Sequence, residues 1–119
     1  QWEPENIDAI KLKFDNLFFL KQFSDCETII QQLIRDYPQK GQYYSDYGHT
    51  LLQLKQYKDA EKKFTQAIKL RTDNLAYVYL GRGIARYNLG KLGMACQDWD
   101  RSLMMGEKGA QKYLTQYCK

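Results

Sequence analysis

One histidine, two prolines and three cysteines are all that these 119 residues contain of those types. Around His49 alone no Ser/His/Asp relay and no histidine-rich metal site can be assembled. No glycine-rich phosphate loop is present, because Gly81-Arg82-Gly83 lies inside a helical stripe rather than after a strand. No catalytic set and no cofactor are therefore expected. No run of about 18 apolar residues occurs, so nothing reads as a membrane span. The scarcity of proline and the alternating helical stripes argue for an all-α chain. With 44% hydrophobic and 27% charged residues, positions 1–119 read as a single domain large enough for a core. The chain starts at Gln1, without Met or a leader pattern, and reads as a fragment or a mature form.

What the sequence does have is an internal repeat. Tyr44, Gly48, Tyr57, Ala60, Phe64 and Ala67 recur as Tyr79, Gly83, Leu92, Ala95, Trp99 and Ser102, each 35 residues on. Periods of this size mark solenoid arrays, whose usual business is binding. Cys26, Ile30 and Leu33 sit 34 residues before Ala60, Phe64 and Ala67, so the first 40 residues fit the same frame. Phe14 stands there in place of the glycine, which makes the first unit degenerate.

The pattern resembles the tetratricopeptide repeat (TPR), a helix pair joined by a short turn. Glycine and alanine occupy close helix crossings in that unit, and large residues fill the space left over. The resemblance covers about residues 7–105. It implies a right-handed α-solenoid of about seven helices, with repeats near 7–40, 41–75 and 76–106 and a capping helix near 107–118. Helices are expected at about 7–21, 42–54, 57–70, 75–89 and 92–105. Another follows Ser24-Asp25-Cys26-Glu27, which reads as a capping box. Tyr37-Pro38 stops that helix, and Leu89-Gly90 ends the one begun near Leu75. The lead-in 1–6 places Pro4 or Asn6 near the first helix start, and Arg71 to Asn74 supplies caps for the helix after it. Ala110, Tyr113, Leu114 and Tyr117 fall on one face of the last helix, which suits a cap.

By the same resemblance, the concave groove is lined by the first helix of each repeat. The positions are Asp8, Lys11, Asp15, Phe18 and Phe19 in unit one, and Gln42, Ser45, Asp46, His49, Leu52 and Gln53 in unit two. Unit three contributes Tyr77, Leu80, Ile84, Tyr87 and Asn88. Phe18 and Phe19 with Tyr77 and Tyr87 would form an aromatic trough with a polar middle, suited to anchoring a peptide. The other reading is that these side chains only fill gaps between repeats. His49 likewise reads either as a ligand contact or as a solvated polar group.

Family members that hold chaperone C-terminal carboxylates use a Lys/Asn, Asn, Lys/Arg clamp. Lys11 matches its first lysine, but Asp15 and Asp46 replace the asparagines, and Tyr77 and Gly81 replace the last basic residues. Two aspartates repel a carboxylate, so that function is not expected.

Residues 1–60 carry 7 basic and 9 acidic side chains, and residues 61–119 carry 11 and 5. Lys58, Lys62, Lys63 and Lys69 read as a solvated convex face, so no nucleic-acid partner is expected. Arg82 and Arg86 are expected to have acidic partners, with Arg82 reaching Asp98.

Cys26 takes the place of a buried alanine and reads as a small core residue. If the last two helices form a hairpin turning near Glu107, Cys96 and Cys118 lie at one level. The tail also resembles the C-terminal unit of TPR proteins from Bacteroidetes-like bacteria, many of them envelope proteins. A Cys96–Cys118 disulfide and free thiols are both open on this reading. Oxidation would imply a periplasmic or surface location, and a cytoplasmic one is the alternative. The expected function is a non-catalytic module that binds a protein, as a peptide or partner helix, in its groove. The rival is an assembly or spacer domain of a larger bacterial envelope protein, dimerising through its ends or convex face.

Overall fold

The computed structural model describes residues 6–119. Among them are seven helices and no strand: α1 (Ile7–Phe19), α2 (Phe23–Asp36), α3 (Gly41–Gln53), α4 (Tyr57–Lys69), α5 (Leu75–Asn88), α6 (Leu92–Met104) and α7 (Ala110–Tyr117). They pack in sequence as α1/α2, α3/α4 and α5/α6 hairpins, with α7 laid on α6. Helices α3 and α5 also touch directly, so the first helices of successive pairs share one side of a stack measuring 49 × 25 × 21 Å.

The crossings are set by residue size. A Cβ on Gly48 would sit 2.6 Å from Phe64 Cε1, and one on Gly83 would fall on the Trp99 indole nitrogen. Ala60, Phe64, Ala95 and Trp99 have no exposure at all. Burial of one such ring contributes on the order of 2 kcal/mol. The first pair reaches a similar fill by exchange. Phe14 takes the glycine position and the smaller Ile30 the aromatic one, and both are buried in the same cluster.

Each hairpin turns through a left-handed residue: Lys21 (φ 62°), Lys55 (φ 61°) and Gly90 (φ 81°). The next amide reaches back each time, Gln22 to Leu17, Gln56 to Leu51 and Lys91 to Arg86, at 2.8–2.9 Å. This closes the last turn of the first helix in the Schellman manner.

Helix ends show two corrections. The Ser24–Glu27 capping box does not form, because α2 starts at Phe23 with Gln22 as its cap residue and no side-chain cap bond. Phe23 packs edge-on to Phe18 at 5.1 Å, and Glu27 instead accepts a hydrogen bond from the Tyr47 hydroxyl at 2.9 Å. Asn74 is the cap residue of α5, yet its side chain accepts from Thr72 and donates to Ser45 rather than capping. Asn6 precedes α1 without a side-chain cap, and Pro4 lies outside the described residues.

The second core cluster seats α7. Ala110 is buried, and Tyr113, Leu114 and Tyr117 pack on Trp99, with Tyr113 stacked on the indole at 5.0 Å. Cys96 of α6 and Cys118 are joined Sγ to Sγ, with their Cα atoms 5.9 Å apart.

Candidate functional site

Helices α1, α3 and α5 each give residues to one concave pocket of about 160 Å³, lined by Phe14, Asp15, Phe18, Asp46, His49 and Tyr77. The helical repeat explains the convergence. Residues one turn apart on α1 (Phe14, Phe18) face residues on α3 (Asp46, His49), and Tyr77 comes across from α5.

His49 is the hinge of the arrangement. Its ring stacks on Tyr77 at 3.9 Å and meets the edge of Phe64 at 4.7 Å, leaving 9% of the residue exposed. It is neither a solvated polar group nor an open surface contact. Burial pushes the imidazole down to about 3, against a smaller upward pull from the Tyr77 backbone, so it is neutral near pH 7. Its Nε2 has no hydrogen-bond partner.

Lys11 crosses from α1 to meet two carboxylates, Asp15 at 2.9 Å and Asp46 at 3.4 Å. Burial pulls the ammonium down, but Asp15 and Asp46 outweigh it and hold its pKa above the ordinary lysine value. Burial raises the Asp46 carboxyl, which Lys11 and Gln42 only partly oppose. Gln42 donates to Asp46 Oδ1 at 3.1 Å, while Oδ2 accepts no hydrogen bond, the Lys11 contact being ionic rather than aligned.

The structure thus brings together Lys11, Asp15, Phe18, Asp46, His49 and Tyr77. It does not bring Tyr87 to them: that ring lies 4.3 Å from Tyr117 and 6.1 Å from Trp99, under the capping helix. Ile84 packs in the same second cluster. The aromatic trough of Phe18, Phe19, Tyr77 and Tyr87 is therefore not continuous, because α7 takes up its far end. Phe19 is 85% exposed and does not line the pocket. Gln53 is exposed at the end of α3, and Asn88 turns its amide onto the Ile84 carbonyl at 2.8 Å.

Two contributors went unread in the sequence. Phe14 walls the pocket, although the repeat frame places it only at the glycine position; its place one turn before Phe18 is the available signal. Gly81 has a structural part too, since a Cβ there would come within 2.5 Å of Phe64 Cζ and 2.8 Å of His49 Cε1. Its bare backbone lets α5 lie against the histidine.

Convex to the pocket, Arg82 bonds Asp98 twice and Thr65 once, and Arg86 bridges Asp98 to Glu61. This network ties α4, α5 and α6 together and carries no free ligand-facing group.

A stack of helix pairs with an apolar-walled concavity defines a repeat-type binding scaffold. No protein-family model and no curated protein matches the sequence. Solved structures do match. The second TPR domain of human RPAP3, determined with the HSP70 peptide SGPTIEEVD, aligns over 97% of each chain at TM-score 0.84 and 26% identity. The first TPR of Spaghetti (RPAP3), bound to the HSP90 peptide SRMEEVD, covers 97% of this chain and 92% of its own at TM-score 0.86 and 20% identity. The Arabidopsis OM64 TPR domain covers 94% and 96% at TM-score 0.82 and 24% identity. The chain has the tetratricopeptide-repeat fold.

Proposed function

We propose that the chain binds a peptide or a partner's helix on its concave side, with the Phe14/Phe18/His49/Tyr77 pocket as the anchor point. The observation that supports this is convergence: three separate helices present aromatic walls to one pocket whose polar groups are incompletely paired. Aromatic walls with few polar groups are the usual makings of an anchor site. The similar structures in complex with HSP70 and HSP90 peptides are examples of peptide binding by this fold. Their acidic peptide ends do not suit this groove, where Lys11 is already engaged by Asp15 and Asp46.

The test uses peptides selected from a random library against the chain. Binding that drops at least tenfold in Phe18→Ala/Tyr77→Ala, with amide shifts centred on His49, supports the groove; equal binding by the double variant overturns it. The peptide SRMEEVD should give no saturable shift at millimolar concentration, and micromolar saturation would refute the charge argument.

An assembly role has one observation in its favour. Leu12, Phe19 and Leu20 are 60%, 85% and 60% exposed along α1, on the outer edge of the first pair. Concentration-dependent sedimentation abolished by Phe19→Asp would support self-association.

A further inference from the structure

The floor of the pocket holds two buried polar atoms that take no hydrogen bond from the chain: His49 Nε2, and Asp46 Oδ2, whose charged neighbour is Lys11 at 3.4 Å. A neutral imidazole carries one N–H and one lone pair, and in the tautomer protonated at Nδ1 the unpartnered Nε2 is open to a donor. Asp46 Oδ1 is already taken by Gln42, which leaves Oδ2. Buried acceptors left unpaired are costly, so whatever enters here is rewarded for bringing N–H donors.

The charge balance points the same way. Two carboxylates, Asp15 and Asp46, face a single ammonium, Lys11, and that ammonium sits nearer Asp15 (2.9 Å) than Asp46 (3.4 Å). Lys11 can stay with Asp15 while Asp46 turns to an incoming group. Of the wall rings, Phe14 carries Lys11 at 5.2 Å and one face of Tyr77 is stacked on His49, so Phe18 and the other face of Tyr77 are left to attract an incoming cation. A flat guanidinium offers donors in several directions and stacks on aromatic rings, whereas an ammonium does so less well.

We infer that the pocket takes a basic side chain of the partner peptide, arginine in preference to lysine, with Asp46 Oδ2 and His49 Nε2 as its acceptors. The inference rests on the groove reading above. It makes the recognised charge the opposite of the acidic peptides seen with the similar structures.

The experiment takes the library-selected peptides, blocked at both ends, and measures binding by fluorescence anisotropy and amide shifts. The expected result is a recurrent arginine whose change to Gln weakens binding about tenfold or more, the loss of one charge-assisted contact. Its change to Lys should weaken binding less. Asp46→Asn should weaken the arginine peptide by a similar factor and leave the Gln peptide unaffected, while Asp25→Asn, which does not line the pocket, changes neither. Circular dichroism melting shows that Asp46→Asn is folded. Peptides that shift His49 and Tyr77 yet carry no basic residue, or bind Asp46→Asn unchanged, would overturn this inference and leave the groove standing. Peptides that map elsewhere, or none selected at all, would overturn both.

Discussion

Arg82 grips Asp98 with two parallel hydrogen bonds, Nε to Oδ2 at 3.0 Å and Nη2 to Oδ1 at 2.9 Å. The Asp98 side chain is only 5% exposed and also receives Arg86 Nη1 at 3.1 Å. Removing a buried charge from such a network strands its partners, at about 3 kcal/mol or more. Asp98→Asn should therefore lower unfolding free energy by roughly 3–5 kcal/mol, measured by urea denaturation. A loss below 0.5 kcal/mol would show the network to be surface-like.

Glycine at the crossing should be irreplaceable where the space is taken and replaceable where it is not. Gly83→Ala drives a methyl group onto the fully buried Trp99 and should destabilise by about 1–3 kcal/mol, outweighing the better helix propensity of alanine. Gly93→Ala, in α6 with nothing within 4 Å, should be neutral or stabilise by up to about 1 kcal/mol. Thermal melts of the two variants side by side check the contrast.

His49 should make stability fall with acid. Its folded pKa is depressed to about 3 from an ordinary 6.5, so the unfolded chain binds the extra proton across that interval. The stability it contributes is complete above pH 6.5 and declines as pH falls toward 3, at no more than about 1.4 kcal/mol per pH unit. Asp46 works in the opposite sense above its ordinary carboxylate value, because its raised carboxyl favours the folded state when protonated. Denaturation between pH 6.5 and 5, compared between the chain and a His49 variant, separates the histidine's share. His49→Phe should flatten the slope there, and an unchanged slope would assign it elsewhere.

The Cys96–Cys118 link closes a loop of sequence separation 22 over the end of the stack. Chain-entropy arguments give such a loop about 3 kcal/mol. Cys96→Ala/Cys118→Ala should lose about that much, chiefly as early exchange of α7 amides, with the hairpins before it less affected. Hydrogen exchange by mass spectrometry reads this segment by segment.

The helix pairs were legible because small and large residues recur at one offset, and steric fit at Gly48 and Gly83 makes that pattern obligatory. Arg82 reaching Asp98 was legible for the same reason: the repeat frame fixes which faces meet. The pocket was legible only in part. Lys11, Asp15, Phe18, Asp46, His49 and Tyr77 all appeared as concave positions, but so did Tyr87 and Ile84, which the final helix takes for its own packing. A repeat frame says which side a residue is on, not which neighbour competes for it. The helix starts were misread at Ser24 because a local capping signal lost to the tertiary contact between Phe23 and Phe18.

The two ends of this array are unlike. Behind Trp99, an amphipathic helix leaves polar side chains outermost, while α1 keeps Leu12, Phe19 and Leu20 in the open. The stack therefore has a direction of growth. A further hairpin fused ahead of α1 would find an oily surface ready to receive it, whereas one fused after α7 would have to displace Tyr113 and Tyr117 to reach Trp99.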